Sequence, residues 1–326
     1  MRKRILSGMR PTGKLHLGHL VGALSNWVKL QDKYHCLFMV ADWHALMSEY
    51  ENAKATQENA FDNVADWLAC GIDPKKSIIF VQSDVKEHLE LDMIFSCITP
   101  LGWLERCPTY KEQLKEIENR DLGTYAFLGY PVLQAADILL YKADAVPVGR
   151  DQLPHLELTR EIARRFNHLY KNIFPEPEAI LTQVPKLLGT DNRKMSKSYN
   201  NAINLSDSPE VIKQKVRSMF TDPKRIKLSD PGHSHECNVY SYFGVFAPQK
   251  KNDVYQWCTA AKIGCTECKQ RLADVLLEAL APIQKKRHQI LKNKNQIRSI
   301  LSQGAKKARK LASETIKETK KAVFAK

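Results

Sequence analysis

Apolar residues fall into short runs in the first half of the chain and into helical spacing in the second. Residues 4–9 read as a strand, followed by a polar turn at residues 10–15 and an amphipathic helix with Leu20, Val21, Leu24, Trp27 and Val28 on one side. Residues 36–42 form an unbroken apolar run, as expected of a parallel strand buried on both faces. A helix over 55–70 and a strand over 78–83 continue the alternation, and residues 87–127 read as mostly helical and amphipathic. Residues 130–140 are apolar and helical apart from Asp137, residues 145–148 form a short strand, and a helix covers about 155–166. Ile180, Leu181, Val184 and Leu187 are strand-like and lead into a polar loop. Ser208, Pro209 and Glu210 then start a helix in the order N-cap, first helical position, first turn. Further helices cover about 270–291 and 304–323. The βαβα order predicts an α/β fold, a Rossmann-like doubly wound parallel sheet, with a C-terminal all-helical part. The division expected is residues 1–204 and 205–326, with 87–127 as a helical insertion.

Composition narrows the class. The chain has 326 residues, ample for two domains, and is 43% hydrophobic, which excludes a disordered chain. No apolar run approaches the roughly 20 residues that span a bilayer. The charged start at residues 1–6 leads into a strand rather than an apolar leader, so the expectation is a cytoplasmic protein without membrane attachment. A net charge of +14 favours a polyanionic partner. From residue 285 onward the only acids are Glu314 and Glu318, and Lys285, Lys286, Arg287, Lys306, Lys307 and Arg309 are candidates for tracking a phosphate backbone.

Three stretches carry candidate chemistry. At the first strand-to-helix junction stand His16-Leu17-Gly18-His19. Two histidines at a helix start can donate to phosphate oxygens, and Gly18 lets a nucleoside approach the backbone. Far downstream comes Lys194-Met195-Ser196-Lys197-Ser198, two ammonium groups around a hydroxyl in a turn-rich loop. Alone, each reads as a solvated turn. The third is Asp137, a carboxylate in an apolar helix, which costs several kcal/mol unless it is paired or meets a ligand N–H. Asp42 and His44 follow a strand end, where ligands bind in open α/β sheets. Gly149 and Asp151 lie at a second strand-to-helix junction, suited to close approach and to ribose hydroxyls.

Order and spacing of the two signatures, with Ser7 to Gly13, Gly71-Ile72-Asp73-Pro74, Tyr130 to Asp137, Val146 to Gly149 and Leu280 to Ile283, make the chain similar over its whole length to the tryptophanyl-tRNA synthetases of class I. The resemblance implies activation of L-tryptophan with ATP and Mg²⁺, transfer to tRNA(Trp), a homodimer built largely on the 87–127 insertion, and an anticodon-reading C-terminal domain. It implies that Asp137 accepts the indole N–H, that Tyr130 and Gln152 hold the amino group, and that His44, Val146 and Val148 shape the indole pocket. ATP falls to Arg10, Pro11, Thr12, Gly18, His19, Gly149, Arg150, Asp151, the backbone near Leu187, and Lys194, Met195, Ser196, Lys197 and Ser198. His16, His19, Lys194 and Lys197 stabilise charge during catalysis. Arg10 and Arg150 depart from many bacterial members, which have glutamine and glutamate there. The nearest alternative is a tyrosyl-tRNA synthetase, and outside the class, a non-catalytic RNA-binding paralogue.

Cys237, Cys258, Cys265 and Cys268 have the form C-x20-C-x6-C-x2-C. Four thiolates so spaced suit Zn²⁺ or an iron–sulfur cluster, and the spacing by itself favours zinc. The resemblance implies instead the subset of the family that carries a [4Fe–4S] cluster. The remaining cysteines, Cys36, Cys70, Cys97 and Cys107, are expected to be buried thiols.

Overall fold

The computed structural model describes residues 2–116, 121–181, 187–193, 195 and 199–325. Five strands, β1 (Arg4–Met9), β2 (His35–Val40), β3 (Ser77–Val81), β4 (Ala145–Val148) and β5 (Glu178–Leu181), form one parallel sheet in the order β3-β2-β1-β4-β5. β1 pairs with β2 from Arg4↔His35 to Met9↔Val40, and with β4 through Ile5↔Ala145. The order reverses between β1 and β4, so their carboxyl ends flank the crevice where open α/β sheets bind ligands. The predicted doubly wound sheet is present.

The chain divides into two compact units. The first contains residues 1–13, 27–183 and 293–326; the second, 14–26 and 184–292. This differs from the division expected at residue 204 in three places. The segments 14–26 and 184–204 go with the second unit, and the last helix, Lys294–Phe324, goes with the first. The reason for the latter is packing. Ala305, Ala308, Ala312 and Ile316 recur at helical spacing and are buried in the same core as Leu37, Met39 and Phe80 of the sheet. At Gly304 the helix backbone lies so close to β3 that a Cβ would collide with the Ile79 carbonyl. Arg309, read from the sequence as a phosphate tracker, donates instead to the Asp84 carbonyl.

Within the first unit, the strand expected to reach residue 42 ends at Val40, because Asp42 begins the helix Asp42–Glu49. The Asp42 carboxylate accepts from the backbone N–H groups of Trp43 (3.1 Å) and Ser83 (3.0 Å), tying the ends of β2 and β3 together. The 87–127 segment contains the helices Glu87–Ser96, Leu101–Glu105 and Pro108–Glu116. Leu89, Met93, Leu101 and Tyr125 are exposed on it, Met93 at 63% and Tyr125 at 79%. In the second unit, helix Cys265–Leu291 packs against Pro209–Arg217 and Asn238–Phe246. Among the described residues no helix is long and apolar enough to cross a membrane.

Candidate active site

In the first unit the chemistry centres on Asp137. It lies on helix Tyr125–Leu140 and is only 2% exposed. The helix is apolar because it is covered on nearly all sides; Val132, Leu133, Ala135, Ala136, Leu139 and Leu140 are all buried. A carboxylate in that setting must be satisfied from elsewhere in the fold. Three donors supply it: Oδ1 accepts from Gln82 Nε2 at 2.7 Å and pairs with His88 Nδ1 at 2.6 Å, and Oδ2 pairs with His44 Nε2 at 2.8 Å. Burial alone would push the Asp137 carboxyl up. His88 and His44 outweigh it and hold the group below the ordinary carboxylate range, so Asp137 is ionised. Asp92, one turn beyond His88, is raised to about 7 by burial and by the Asp137 charge.

Around this carboxylate stand other expected pocket residues. Val146 and Val148 are buried on β4. The Tyr130 hydroxyl meets His155 Nε2 at 2.8 Å. Burial, then the neighbouring His44, lowers His155 to about 4, so the ring is neutral at physiological pH and can accept the Tyr130 proton. Gln152 precedes this helix, Leu153–Leu169, and donates to Asp151 Oδ2 at 3.2 Å. At the end of β1, Arg10 is exposed and its Nη1 lies 3.5 Å from Ser48 Oγ, while the Arg10-Pro11-Thr12 turn closes through a Thr12 N–H bond to the Arg10 carbonyl. At the end of β4, Gly149 lies against the Asp151 carboxylate, which a Cβ there would push aside. Arg150 starts the short turn Arg150–Gln152.

Sequence reasoning found Asp137 and His44 but missed His88, Gln82, Tyr141 and His155. His88 sits in Lys86-Glu87-His88-Leu89-Glu90, a string that reads as a solvated helix face, yet it is fully buried. Only pairing across many residues reveals it.

The second unit carries both signatures. His16 precedes the short helix Leu17–His19, and its backbone N–H donates to His19 Nδ1 at 3.2 Å. The two imidazole centroids lie 3.8 Å apart. This segment is pinned to residues 203–205: Leu17 N–H bonds to Ile203 O, Leu205 N–H bonds to Leu15 O, and His16 pairs with Asn204. Gly18 faces Met195, and a Cβ there would lie 3.5 Å from the Met195 sulfur and 3.0 Å from the His16 ring. So Gly18 of the first signature meets Met195 of the second. Lys194, Ser196, Lys197 and Ser198 lie outside the described residues. The residues flanking them form a stem. Asp191 accepts from Asn201 Nδ2 at 2.7 Å and from the Arg193 backbone at 3.0 Å, and Thr190 N–H bonds to Asn201 O. Arg193 covers the Tyr199 ring at 4.6 Å. Asn238 Nδ2 and the Tyr242 hydroxyl donate to the carbonyls of Gly189 and Leu188, fastening the stem to helix Asn238–Phe246. Leu187 is buried at its base.

The four late cysteines are free thiols that line one cavity together with Asp222 and Arg225. Cys265 and Cys268 occupy the first turn of helix Cys265–Leu291, Cys258 is near the end of Lys251–Thr259, and Cys237 precedes Asn238–Phe246. Burial, then the neighbouring cysteines, pushes the Cys268 thiol up to about 12. Burial likewise raises Cys237 and Cys258. Among the described residues, no three histidine, cysteine or acidic side chains stand together as ligands of one metal ion. The structure thus brings the thiols to one cavity but not to ligand spacing.

The profile of the family described as tRNA synthetases class I (W and Y) matches residues 2–281. The chain is 54% identical over 323 residues to a tryptophan–tRNA ligase of Thermotoga maritima, covering 98% of each chain. It is 44% identical to that of Aquifex aeolicus, over 98% of this chain and 99% of the relative. A solved tryptophanyl-tRNA synthetase of Campylobacter jejuni, in complex with ADP and tryptophan, superposes with a TM-score of 0.89 at 34% identity, covering 98% of this chain and 99% of the other. The chain belongs to the class I tRNA synthetases for tryptophan and tyrosine, and within them to the tryptophan–tRNA ligases.

Proposed function

We propose that the chain activates L-tryptophan with ATP and transfers it to the 3′ adenosine of tRNA(Trp), and that its residues divide the work as follows. The observation that carries the reading is the buried, ionised Asp137, a carboxylate on an apolar helix held by hydrogen bonds from His44, Gln82 and His88. It accepts the indole N–H, with His44, Val146 and Val148 shaping the pocket. Tyr130 and Gln152 hold the ammonium group. Arg10, Pro11, Thr12, Gly18, Gly149, Arg150, Asp151 and the backbone at Leu187 take the nucleotide, which brings Mg²⁺ with it.

The chemistry needs little from the protein but placement. The tryptophan carboxylate is ionised at neutral pH and attacks the α-phosphorus of ATP. One P–O bond forms, the bond to the bridging oxygen breaks, and pyrophosphate leaves with the bonding pair. No general base is required, so His16, His19, Lys194 and Lys197 act as donors and cations that neutralise charge on the departing pyrophosphate. In the second step a ribose hydroxyl attacks the anhydride carbonyl, the bond from that carbon to the phosphate oxygen breaks, and AMP leaves as the hydroxyl proton passes to its phosphate or to solvent. The helical part of the second unit reads the anticodon, and the basic surface supports tRNA binding. Tryptophan-dependent ATP–pyrophosphate exchange tests the reading.

A metal group at the four cysteines belongs to the same proposal. Four thiols lining one cavity are the donor set that such a group would deprotonate and draw to ligand spacing, and the group would tie together three helices of the second unit. We favour a [4Fe–4S] cluster, with Zn²⁺ as the alternative. Iron and acid-labile sulfide should accompany the anaerobically purified protein, with visible absorption. Stoichiometric zinc without such absorption would refute the cluster. A second copy of the chain covers the exposed Leu89, Met93, Leu101 and Tyr125, and a monomeric mass in sedimentation would remove that element. A cytoplasmic location completes the reading.

A further inference from the structure

Helix Glu87–Ser96 packs against helix Tyr125–Leu140 and turns His88, with no exposure, toward it. Both ring nitrogens of His88 are engaged. Nδ1 lies 2.6 Å from Asp137 Oδ1, and Nε2 lies 2.8 Å from the Tyr141 hydroxyl. An ionised carboxylate can only accept, so Nδ1 carries the proton and donates. In the neutral ring, Nε2 then accepts from the Tyr141 O–H. The chain runs from Tyr141 through His88 to Asp137, and every nitrogen and hydroxyl along it is used.

Counting lone pairs shows what this does to Asp137. Oδ1 takes two donors, His88 Nδ1 and Gln82 Nε2, and is full. Oδ2 takes His44 Nε2 and keeps one lone pair. We infer that His88, held by Tyr141, is a positioning residue of the amino-acid pocket: it fixes the Asp137 carboxylate so that a single acceptor position, on Oδ2, is left for the ligand N–H. One open acceptor matches a side chain with one N–H. The inference rests on Asp137 being the indole acceptor.

His88 also bears on the charge of Asp137. The groups facing that carboxylate are His44 from helix Asp42–Glu49, Gln82 from the turn after β3, His88 and Asp92 from helix Glu87–Ser96, and Tyr141 at the end of its own helix. Burial favours the protonated carboxyl; His88 and His44 oppose it. Removing His88 leaves burial less opposed. The Asp137 carboxyl then gains its proton at higher pH, and the acid limb of tryptophan affinity moves to higher pH.

The test is pyrophosphate exchange from about pH 5.5 to about pH 8.5 with the full chain and four variants. In His88→Leu the KM for tryptophan should rise about 10- to 100-fold, as for loss of a hydrogen bond to a charged group. The KM for ATP and kcat should stay within about threefold, and the acid limb should move up. His88→Asn, whose Nδ2 stands where Nδ1 stood, should recover most of the affinity. Tyr141→Phe should show a smaller loss in the same direction, and it carries the test if His88→Leu does not fold. A wild-type KM and profile in His88→Leu, or a loss that is independent of pH and not rescued by asparagine, would overturn the inference; so would an unchanged Tyr141→Phe profile where that variant carries the test. Asp137→Asn separates the two readings. If it leaves tryptophan affinity intact, the assignment of Asp137 itself fails. If it weakens affinity while His88→Leu does not, only the role of His88 fails.

Discussion

Lys197→Ala should lower the rate of tryptophanyl-adenylate formation by about 10²- to 10³-fold while changing tryptophan affinity by no more than about twofold. That asymmetry follows from where charge develops. The amino-acid carboxylate is already an anion when bound, whereas the bridging oxygen of ATP gains charge only as its bond to the α-phosphorus breaks. A cation serving that oxygen acts on the transition state and not on the bound amino acid, and loss of one such group typically costs about 3–4 kcal/mol of barrier. The described surroundings give the loop a firm base: Asp191 clasps Asn201 and Arg193, and Tyr242 and Asn238 hold the carbonyls at its start. Pyrophosphate exchange at saturating substrate gives the rate, and equilibrium binding of tryptophan gives the affinity. Equal losses in the two would show that the lysine serves substrate binding.

The second large effect is expected at Asp137. Asp137→Ala should reduce kcat/KM for tryptophan by about 100-fold or more, with the KM for ATP within about threefold. The variant removes the acceptor and also strands the donors of His44, His88 and Gln82, so its loss mixes contact with reorganisation. A tryptophan analogue with sulfur in place of the indole N–H separates the two. The wild-type enzyme should use the analogue far less well than tryptophan, because a buried acceptor would go unpaired. The variant should use both about equally. If both enzymes discriminate alike, Asp137 does not meet the indole nitrogen.

The sequence made the sheet legible because its strands are buried on both faces. Residues 36–41 and 78–81 are apolar throughout, and each strand is found within two residues of where the sequence places it. The end at Val40 was not legible, because it depends on Asp42 bonding to Ser83, some 40 residues on. Asp137 announced itself by being a charge among apolar neighbours. His88 gave no such signal, since its own neighbours are Glu87 and Leu89 and its partners are 49 and 53 residues away. The last helix shows the same limit. The helix itself is legible, but not which surface it covers. The Gly304 approach to Ile79 explains why it belongs with the sheet. At the cysteines, spacing indicates convergence on one cavity; the identity of a bound group depends on chemistry that spacing does not contain.

The most direct measurement of the central claim is amino-acid-dependent exchange of labelled pyrophosphate into ATP. The account predicts exchange with tryptophan, none above background with tyrosine, and none without an amino acid. Exchange with tyrosine in place of tryptophan would contradict the pocket built around Asp137, and no exchange with either would contradict the reading of the two signatures as a working phosphate site.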